Sequence, residues 1–113
     1  MRSKLSSLSK NDDFKYLLNG KKISNKYLTI FFRRLANKDS NKLNISFVTK
    51  KKIGNAVIRN KIKRRLRNIM NESVKKIKLN LNYSYLIIAK KTIFEDSYGK
   101  IKEILFADFK KIK

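Results

Sequence analysis

Apolar residues recur at three- and four-residue steps in the middle of the chain, which is the spacing of one buried helix face. The recurring positions are Ile58, Ile62, Leu66, Ile69, Ser73 and Ile77. This spacing predicts a long helix from about Asn55 to Leu79. Gly54 interrupts the extended pattern before it and so marks where the helix begins. A last helix is predicted after Ser97, since serine is a favourable N-cap. Its apolar stripe comprises Ile101, Ile104, Leu105 and Ile112.

Three segments have the patterns of β-strands. Side chains from Tyr27 to Leu35 alternate with a period of two, which predicts a strand with two distinct faces. A similar alternation from Leu43 to Val48 follows a polar connection, so these two strands are predicted to form a hairpin. Residues 83–90 are apolar on both alternating sets, as in a strand that is covered on two sides. This third strand is predicted to be central.

A short helix is predicted near the start of the chain. Asn11, Asp12 and Asp13 suit a helix start, because side-chain oxygens cap free amides and negative charge is favoured at the positive end of the helix dipole. Gly20 ends this helix. Residues 1–8 are predicted to be a flexible basic arm, and residues 9–113 a single domain with the element order αββαβα. The predicted fold class is therefore α/β (α+β), with a small mixed sheet and a long basic helix.

The charge of the chain indicates the kind of partner. The 113 residues include 30 Lys and Arg against 8 Asp and Glu, a formal net charge of +22. Nine of the eighteen residues from Lys50 to Arg67 are cationic, and no acid occurs from Ser40 to Asn71. A polyanion would relieve this self-repulsion, and 42% apolar residues are too many for a disordered tail. These features predict a folded domain that binds nucleic acid.

The residue inventory excludes several kinds of chemistry. The chain has no Cys and no His, so it lacks disulfides, thiolate metal sites and the commonest general base. The adjacent pairs Asp12–Asp13 and Glu95–Asp96 are interpreted as helix-dipole partners, so no catalytic and no metal-binding residue is predicted. No signal peptide and no apolar run of about 18 residues is found. We therefore expect a cytoplasmic protein with no membrane partner and no small-molecule substrate.

The cations of the long helix share one side when they are placed at 100° per residue. One row is formed by Arg59, Lys63 and Arg67, and the neighbouring surface by Asn60, Lys61 and Arg64. A charge run on a helix is usually a solvated face, but such faces mix signs. This one contains no acid, so it is predicted to bind nucleic-acid phosphates.

One segment of the chain resembles the signature of the bacterial ribonuclease P protein family: residues 51–67 read KKIGNAVIRNKIKRRLR. The family's central element, usually Arg-Asn-Arg, stands here as Arg59-Asn60-Lys61. The opening at residues 10–14, Gly20, the strand ending at Thr49 and residues 86–91 follow in the family's order. Lys61 in place of the usual arginine keeps the charge but loses a planar bidentate fork, which leaves the contact at this position open.

The resemblance implies a ribosomal-protein-like fold in which the long helix crosses between parallel strands in the unusual left-handed sense. It implies that the basic helix docks on a catalytic ribonuclease P RNA, and that the sheet and first helix hold the single-stranded 5′ leader of precursor tRNA. The implied cofactor is Mg²⁺ bound by the RNA subunit, with none on the protein alone. The residues implied in RNA-subunit binding are Lys51, Lys52, Arg59, Asn60, Lys61, Lys63, Arg64 and Arg67.

One face of the first predicted strand has the composition of a platform for unpaired RNA, with two aromatics, a hydroxyl and a cation. By resemblance, Phe31 on this face matches a position of the family's cleft, as do Phe14 and Leu18 on the first helix. Leu18 stands where an aromatic is common. Tyr27 and Phe14 are equally compatible with packing in the core. The predicted leader-binding residues are Phe14, Leu18, Tyr27, Thr29, Phe31 and Arg33.

The resemblance thus implies an RNA-binding subunit that assists a catalytic RNA in endonucleolytic removal of the leader and has no nuclease site of its own. An alternative is a structural ribosomal protein, which shares the size, the charge and the lack of catalytic side chains. Such a protein needs neither the Arg59-Asn60-Lys61 segment nor an aromatic strand face. A DNA-binding or nucleoid protein is less compatible with the extended sheet and the lack of a short helix-turn-helix.

Overall fold

The computed structural model describes residues 5–6, 11–34, 42–94 and 96–112. Its helices and strands are β1 (Leu5–Ser6), α1 (Asn11–Leu18), β2 (Lys21–Ser24), β3 (Leu28–Arg34), β4 (Leu43–Val48), α2 (Ala56–Lys76), β5 (Tyr83–Ala89) and α3 (Tyr98–Lys111). A 3₁₀ turn at Lys51–Ile53 precedes α2, and another at Lys91–Phe94 follows β5. The six predicted helices and strands are confirmed to within a few residues, and β1 and β2 are additional.

Five described strands form one mixed sheet in the order β1-β4-β5-β3-β2. The strand β5 is central, as predicted, with β4 parallel on one side and β3 antiparallel on the other. The predicted hairpin of β3 and β4 is wrong, because β5 lies between them and β3 pairs with β2 instead. The unit β4-α2-β5 joins adjacent parallel strands, and its left-handed sense stays a prediction. The mixed α/β fold of a single domain is confirmed.

The two additional strands lack a pattern that would reveal them. β2 reads Lys-Lys-Ile-Ser, and only its Ile23 is half-buried, because β2 lies at an edge of the sheet. β1 contributes Leu5, which pairs with Leu43 and packs against the core. Residues 5 and 6 therefore do not belong to a free arm. Residues 1–4, 7 and 8 of the predicted arm, and Leu35 of the predicted strand, lie outside the described residues, and the boundary between arm and domain stays a prediction.

The sheet carries a large core on one face and a small core on the other. Leu28, Ile30 and Phe32 of β3 pack in the large core with the buried stripes of α2 and α3. In the small core, Leu17 of α1 and Leu86 of β5 are buried, and four half-buried side chains pack against them. These four are Phe14, Phe31, Val48 and Ile88. The second face of β3 is therefore only partly covered by α1 and remains accessible.

The helix α2 begins and packs as its sequence predicts. The Asn55 side chain accepts a hydrogen bond from the Ile58 amide at 3.0 Å and so caps the first turn. Its buried side consists of Ile62, Leu66, Ile69, Met70 and Ser73. The helix ends at Lys76, three residues before the predicted Leu79. Because the buried side packs on the large core, the cationic side faces outward.

Asn25 fixes the turn between β2 and β3. Its Oδ1 accepts hydrogen bonds from the amides of Tyr27 and Leu28 at 2.7 and 3.0 Å, and its Nδ2 donates to Asp108 Oδ2 of α3 at 2.7 Å. Lys90 Nζ donates to the Asn25 carbonyl at 2.6 Å. These bonds bring the start of β3, the end of β5 and α3 together, and they hold Lys90 beside β3.

The predicted position of Tyr27 on the same strand face as Thr29 is wrong. Tyr27 precedes β3, is 1% exposed and packs in the large core. The turn made by Asn25, rather than strand geometry, sets its direction. Its hydroxyl donates a hydrogen bond to Asp96, and this bond, aided by nearby lysines, lowers the pKa of the Asp96 carboxyl from its ordinary value. Tyr27 is therefore a core residue and is excluded from the candidate interface.

Gly20 is required where α1 meets the sheet, and we expect Gly20→Ala to be destabilising. A Cβ at this position would lie 2.9 Å from the Phe32 carbonyl oxygen and 3.0 Å from Arg33 Cβ. Relieving such overpacking typically costs about 1–3 kcal/mol. Gly99→Ala in α3 is the matched control, because a Cβ there meets nothing within 4 Å. Urea denaturation should show a lower unfolding free energy for the first variant and no loss for the second; equal stability of both would contradict this packing.

Candidate nucleic-acid interface

The outward side of α2 is a continuous cationic surface. Asn60, Lys61, Arg64 and Arg67 are exposed, and Arg59 and Lys63 are half-buried along their stems. Asn60, Lys61, Arg64 and Arg67 therefore lie on the outward side of α2 as predicted, whereas Arg59 and Lys63 lie at its border with the buried stripe, since Arg59 precedes Ile62 and Leu66 by three and seven residues. Lys51 and Lys52 are exposed in the 3₁₀ turn that leads into the helix. We call these eight residues the basic helix face.

The nearest acid on α2 does not neutralise the basic helix face. Glu72 accepts a hydrogen bond from Lys102 of α3 at 3.2 Å and forms an ion pair with Lys76 at 3.8 Å. The Lys102 hydrogen bond lowers the pKa of the Glu72 carboxyl from its ordinary value. Its negative charge is thus committed to the other end of the helix, and none of the ion pairs found among the described residues involves the cations from Arg59 to Arg67.

Arg59 has an unsatisfied donor within the described part of the chain. Its Nε atom is buried and has no hydrogen-bond partner there. A buried donor without an acceptor is unfavourable, and phosphate oxygens are good acceptors for a guanidinium group. Because this atom is buried, the positive charge of Arg59 rather than its Nε donor is what suits it to a phosphate contact.

Two further side chains of α2 lie beside the basic helix face. Val57 is 77% exposed at the first turn, so it offers an apolar contact between the cations of the 3₁₀ turn and Arg59. Arg65 is exposed and lines a small apolar cavity between α2 and α3 with Tyr98 and Ile101. Sequence reasoning missed both residues. Arg65 falls beside the buried stripe in a helical projection, and the sequence gives no reason for the apolar Val57 to be exposed.

A groove of about 410 Å³ lies on the second face of the sheet. Thr29 and Phe31 of β3 are among its walls, with four lysines from two other segments, and no acid is found among the described residues that line it. These lining residues are Thr29, Phe31, Lys50, Lys52, Ile53, Ile88, Ala89, Lys90 and Lys91. The structure thus combines an aromatic and a hydroxyl of the predicted leader face with a cationic rim, and we call this feature the lysine groove. Lys52, predicted to lie with the helix, also lines it.

Lys50, Lys90 and Lys91 are the cationic groove residues that sequence reasoning missed. Leu28 at the start of β3 pairs with Ala89 at the end of β5, so the lysines after β5 fall beside Thr29. The end of β4 runs parallel to β5 and brings Lys50 to the same edge. These neighbours depend on strand order, for which the sequence contains no local signal.

The α1 side of this face contains the other predicted leader residues. Phe14 is half-buried against the small core, and Leu18 is 46% exposed. The Arg33 guanidinium lies 3.7 Å from the centre of the Tyr16 ring, and its Nη1 donates to the Tyr16 carbonyl at 3.2 Å. Phe14, Leu18, Thr29, Phe31 and Arg33 therefore share one side of the molecule. Tyr16 was not predicted, because nothing local to α1 indicates a partner on β3.

Within residues 5–6, 11–34, 42–94 and 96–112, no three acidic side chains lie together in a group that could hold a metal ion. No helix in the same ranges is long and apolar enough to cross a membrane. Asp39 and Glu95 lie outside the described residues.

A small mixed α/β domain with a basic helix face and a lysine groove on the other face of its sheet has the form of an RNA-binding protein. The ribonuclease P family model matches residues 2–113, and the chain therefore belongs to the ribonuclease P protein family and serves as an RNA-binding component of that endoribonuclease.

Two relatives and one solved structure illustrate the match. The ribonuclease P protein component of Mycoplasma capricolum is 32% identical over 107 residues, which cover 94% of each chain. The ribonuclease P protein component of Listeria monocytogenes is 36% identical over 99 residues, which cover 87% of this chain and 80% of the relative. The ribonuclease P protein structure from Thermotoga maritima aligns with a TM-score of 0.79 and 26% identity, covering 96% of this chain and 98% of that one.

Proposed function

We propose that this component assists a catalytic RNA subunit in removing the 5′ leader of precursor tRNA. The basic helix face binds the RNA subunit, and the lysine groove, with its extension along β3 and α1, binds the single-stranded leader. The observation that carries this proposal is the presence of two RNA-suited surfaces of different composition, which meet at Lys52. The basic helix face consists of cations and one amide, whereas the groove combines aromatic and cationic side chains, as unpaired nucleotides require.

The chemical step belongs to the RNA in this proposal. Mg²⁺ bound by the RNA subunit would supply an activated water for attack on the phosphorus atom. The chain contributes neutralisation of crowded phosphates, which raises the affinity for substrate and for metal. Three of the six described acids support this division, because Asp96, Asp108 and Glu72 are engaged in structural hydrogen bonds. We also infer that the complex works in the cytoplasm, where precursor tRNA is processed in bacteria.

Reconstitution with the RNA subunit tests the proposal. Single-turnover cleavage is measured at limiting Mg²⁺ with and without the protein, on precursor tRNA with a long leader and with a leader of one nucleotide. We expect the protein to increase cleavage of both substrates at low Mg²⁺ and to improve binding only of the long-leader substrate. Equal improvement of both binding constants would contradict a leader-binding role.

The acids of the chain are expected to be dispensable for the chemical step. The residues to be changed singly to Asn or Gln are Asp12, Asp13, Asp39, Glu72, Glu95, Asp96, Glu103 and Asp108. At saturating holoenzyme, each folded variant should cleave at about the wild-type single-turnover rate, because none of these groups transfers a proton. A melting curve identifies variants that lose stability. A loss of about a hundredfold or more in a folded variant, as expected for a general acid or base, would assign chemistry to the protein.

A further inference from the structure

Tyr16 and Arg33 form a stacked pair at the α1 end of the leader face. The guanidinium centre lies 3.7 Å from the ring centre, within the range of a cation–π contact. The hydrogen bond from Arg33 Nη1 to the Tyr16 carbonyl holds the guanidinium in place. Tyr16 nevertheless remains 41% exposed, so the pair presents planar surface to solvent rather than closing a core.

Gly20 makes room for this pair. A Cβ on Gly20 would lie 3.0 Å from Arg33 Cβ and 3.1 Å from Arg33 Cδ, so the arginine stem crosses the glycine on its way from β3 to α1. The two planar groups therefore come from different elements and have little freedom to separate. A preformed planar surface binds a ligand with less loss of conformational entropy than two independent side chains do.

The position of the pair separates it from the lysine groove. Thr29, Phe31 and Arg33 alternate along one face of β3, and Thr29 and Phe31 line the groove. Arg33 lies four residues beyond Thr29, a distance of about 13 Å along a strand. A chain of unpaired nucleotides that passes over Phe31 can therefore reach the Tyr16–Arg33 pair with a different base.

We propose that the Tyr16–Arg33 pair is a second stacking site for an unpaired nucleotide of single-stranded RNA, distinct from the site at Phe31. An exposed aromatic ring binds a base by stacking, and the guanidinium can stack with a base or pair with its phosphate. This inference rests on the proposed leader-binding function and adds a second nucleotide position to it.

A double-mutant cycle between the protein and the leader tests this site. Precursor tRNAs are made in which one leader nucleotide at a time is replaced by an abasic ribose, and their dissociation constants are measured with holoenzyme reconstituted from wild-type, Tyr16→Ala or Phe31→Ala protein. We expect one abasic position to weaken wild-type binding by about five- to a hundredfold and to have no further effect with Tyr16→Ala. A different position should show this coupling with Phe31→Ala.

Conservative variants distinguish stacking from a merely structural role. Tyr16→Phe keeps the aromatic ring, so removing the base at the Tyr16-coupled position should still weaken binding of precursor tRNA. Arg33→Lys keeps the charge but loses the planar group, so the same abasic substitution should weaken binding less. A melting curve of Tyr16→Ala should be close to wild type, since the ring is exposed. The second site would be overturned if the effects of Tyr16→Ala and of each abasic position on the binding free energy simply add, while Phe31→Ala is coupled to one position. The proposed function would remain intact in that case. If the effects of both protein variants simply add to those of every abasic position, leader binding on this face would be contradicted.

Discussion

Replacing Arg59, Arg64 and Arg67 together with alanine is expected to weaken binding of the RNA subunit roughly a hundredfold, at about 1 kcal/mol for each lost hydrogen-bonded contact. Arg64 and Arg67 are exposed on the outward side of α2, and Arg59 is half-buried at the border of the basic helix face. The slope of log affinity against log salt should fall by about one for each lost phosphate contact, or about three in total. Filter binding over a salt series measures both quantities.

A matched triple variant separates the position of the charges from their number. Lys42, Lys78 and Lys110 are also exposed and lie outside α2 and the lysine groove, and their replacement with alanine removes the same number of charges, from +22 to +19, away from the basic helix face. This variant should keep most of the affinity and most of the salt slope. Similar losses in the two triple variants would mean that net charge alone drives binding and that α2 is not the docking surface.

Phe31→Ala is expected to weaken binding of precursor tRNA by the holoenzyme about five- to a hundredfold, because a lost stacking contact is worth about 1–3 kcal/mol per base. Phe31 is half-buried and lines the lysine groove. Mature tRNA lacks the leader, so its dissociation constant should change little. Assembly with the RNA subunit should persist, because the basic helix face is unchanged. Paired dissociation constants for the two tRNAs check this expectation.

Phe106→Ala provides a control for general loss of packing. Phe106 is a half-buried phenylalanine of α3 that packs against the large core, on the face of the sheet away from the groove. Its replacement should lower the melting temperature without selective loss of precursor binding. If Phe31→Ala weakens both tRNAs equally and lowers the melting temperature, as Phe106→Ala does, then Phe31 acts as a core residue and does not bind the leader.

The sequence was most informative where a single element determines the pattern. The helical spacing of Ile62, Leu66 and Ile69 predicted α2 and its outward cations, since a helix face depends only on residues three and four apart. Apolar residues on both alternating sets of residues 83–90 predicted a strand that is covered on two sides, and β5 is central in the sheet. The resemblance at residues 51–67 indicated the family, which the match over residues 2–113 shows.

Features that depend on contacts between distant segments could not be predicted. The edge strand β2 has no apolar alternation, because only one of its side chains is half-buried. Tyr27 departs from the alternation of β3, since hydrogen bonds to Asn25 redirect the backbone before the strand begins. Lys90 reaches the groove only because β5 pairs with β3. Each of these outcomes depends on strand order and turn geometry rather than on local composition.

The identity of the RNA that the chain binds in its own cells tests whether it works with a ribonuclease P RNA. The tagged chain is purified under mild salt, and the co-purifying RNA is sequenced together with that of the Arg59, Arg64 and Arg67 triple variant. We predict that the wild-type chain recovers a single predominant RNA of ribonuclease P type, with precursor tRNA, and that the triple variant loses it. Recovery of ribosomal RNA in its place would contradict the account and favour a structural ribosomal role.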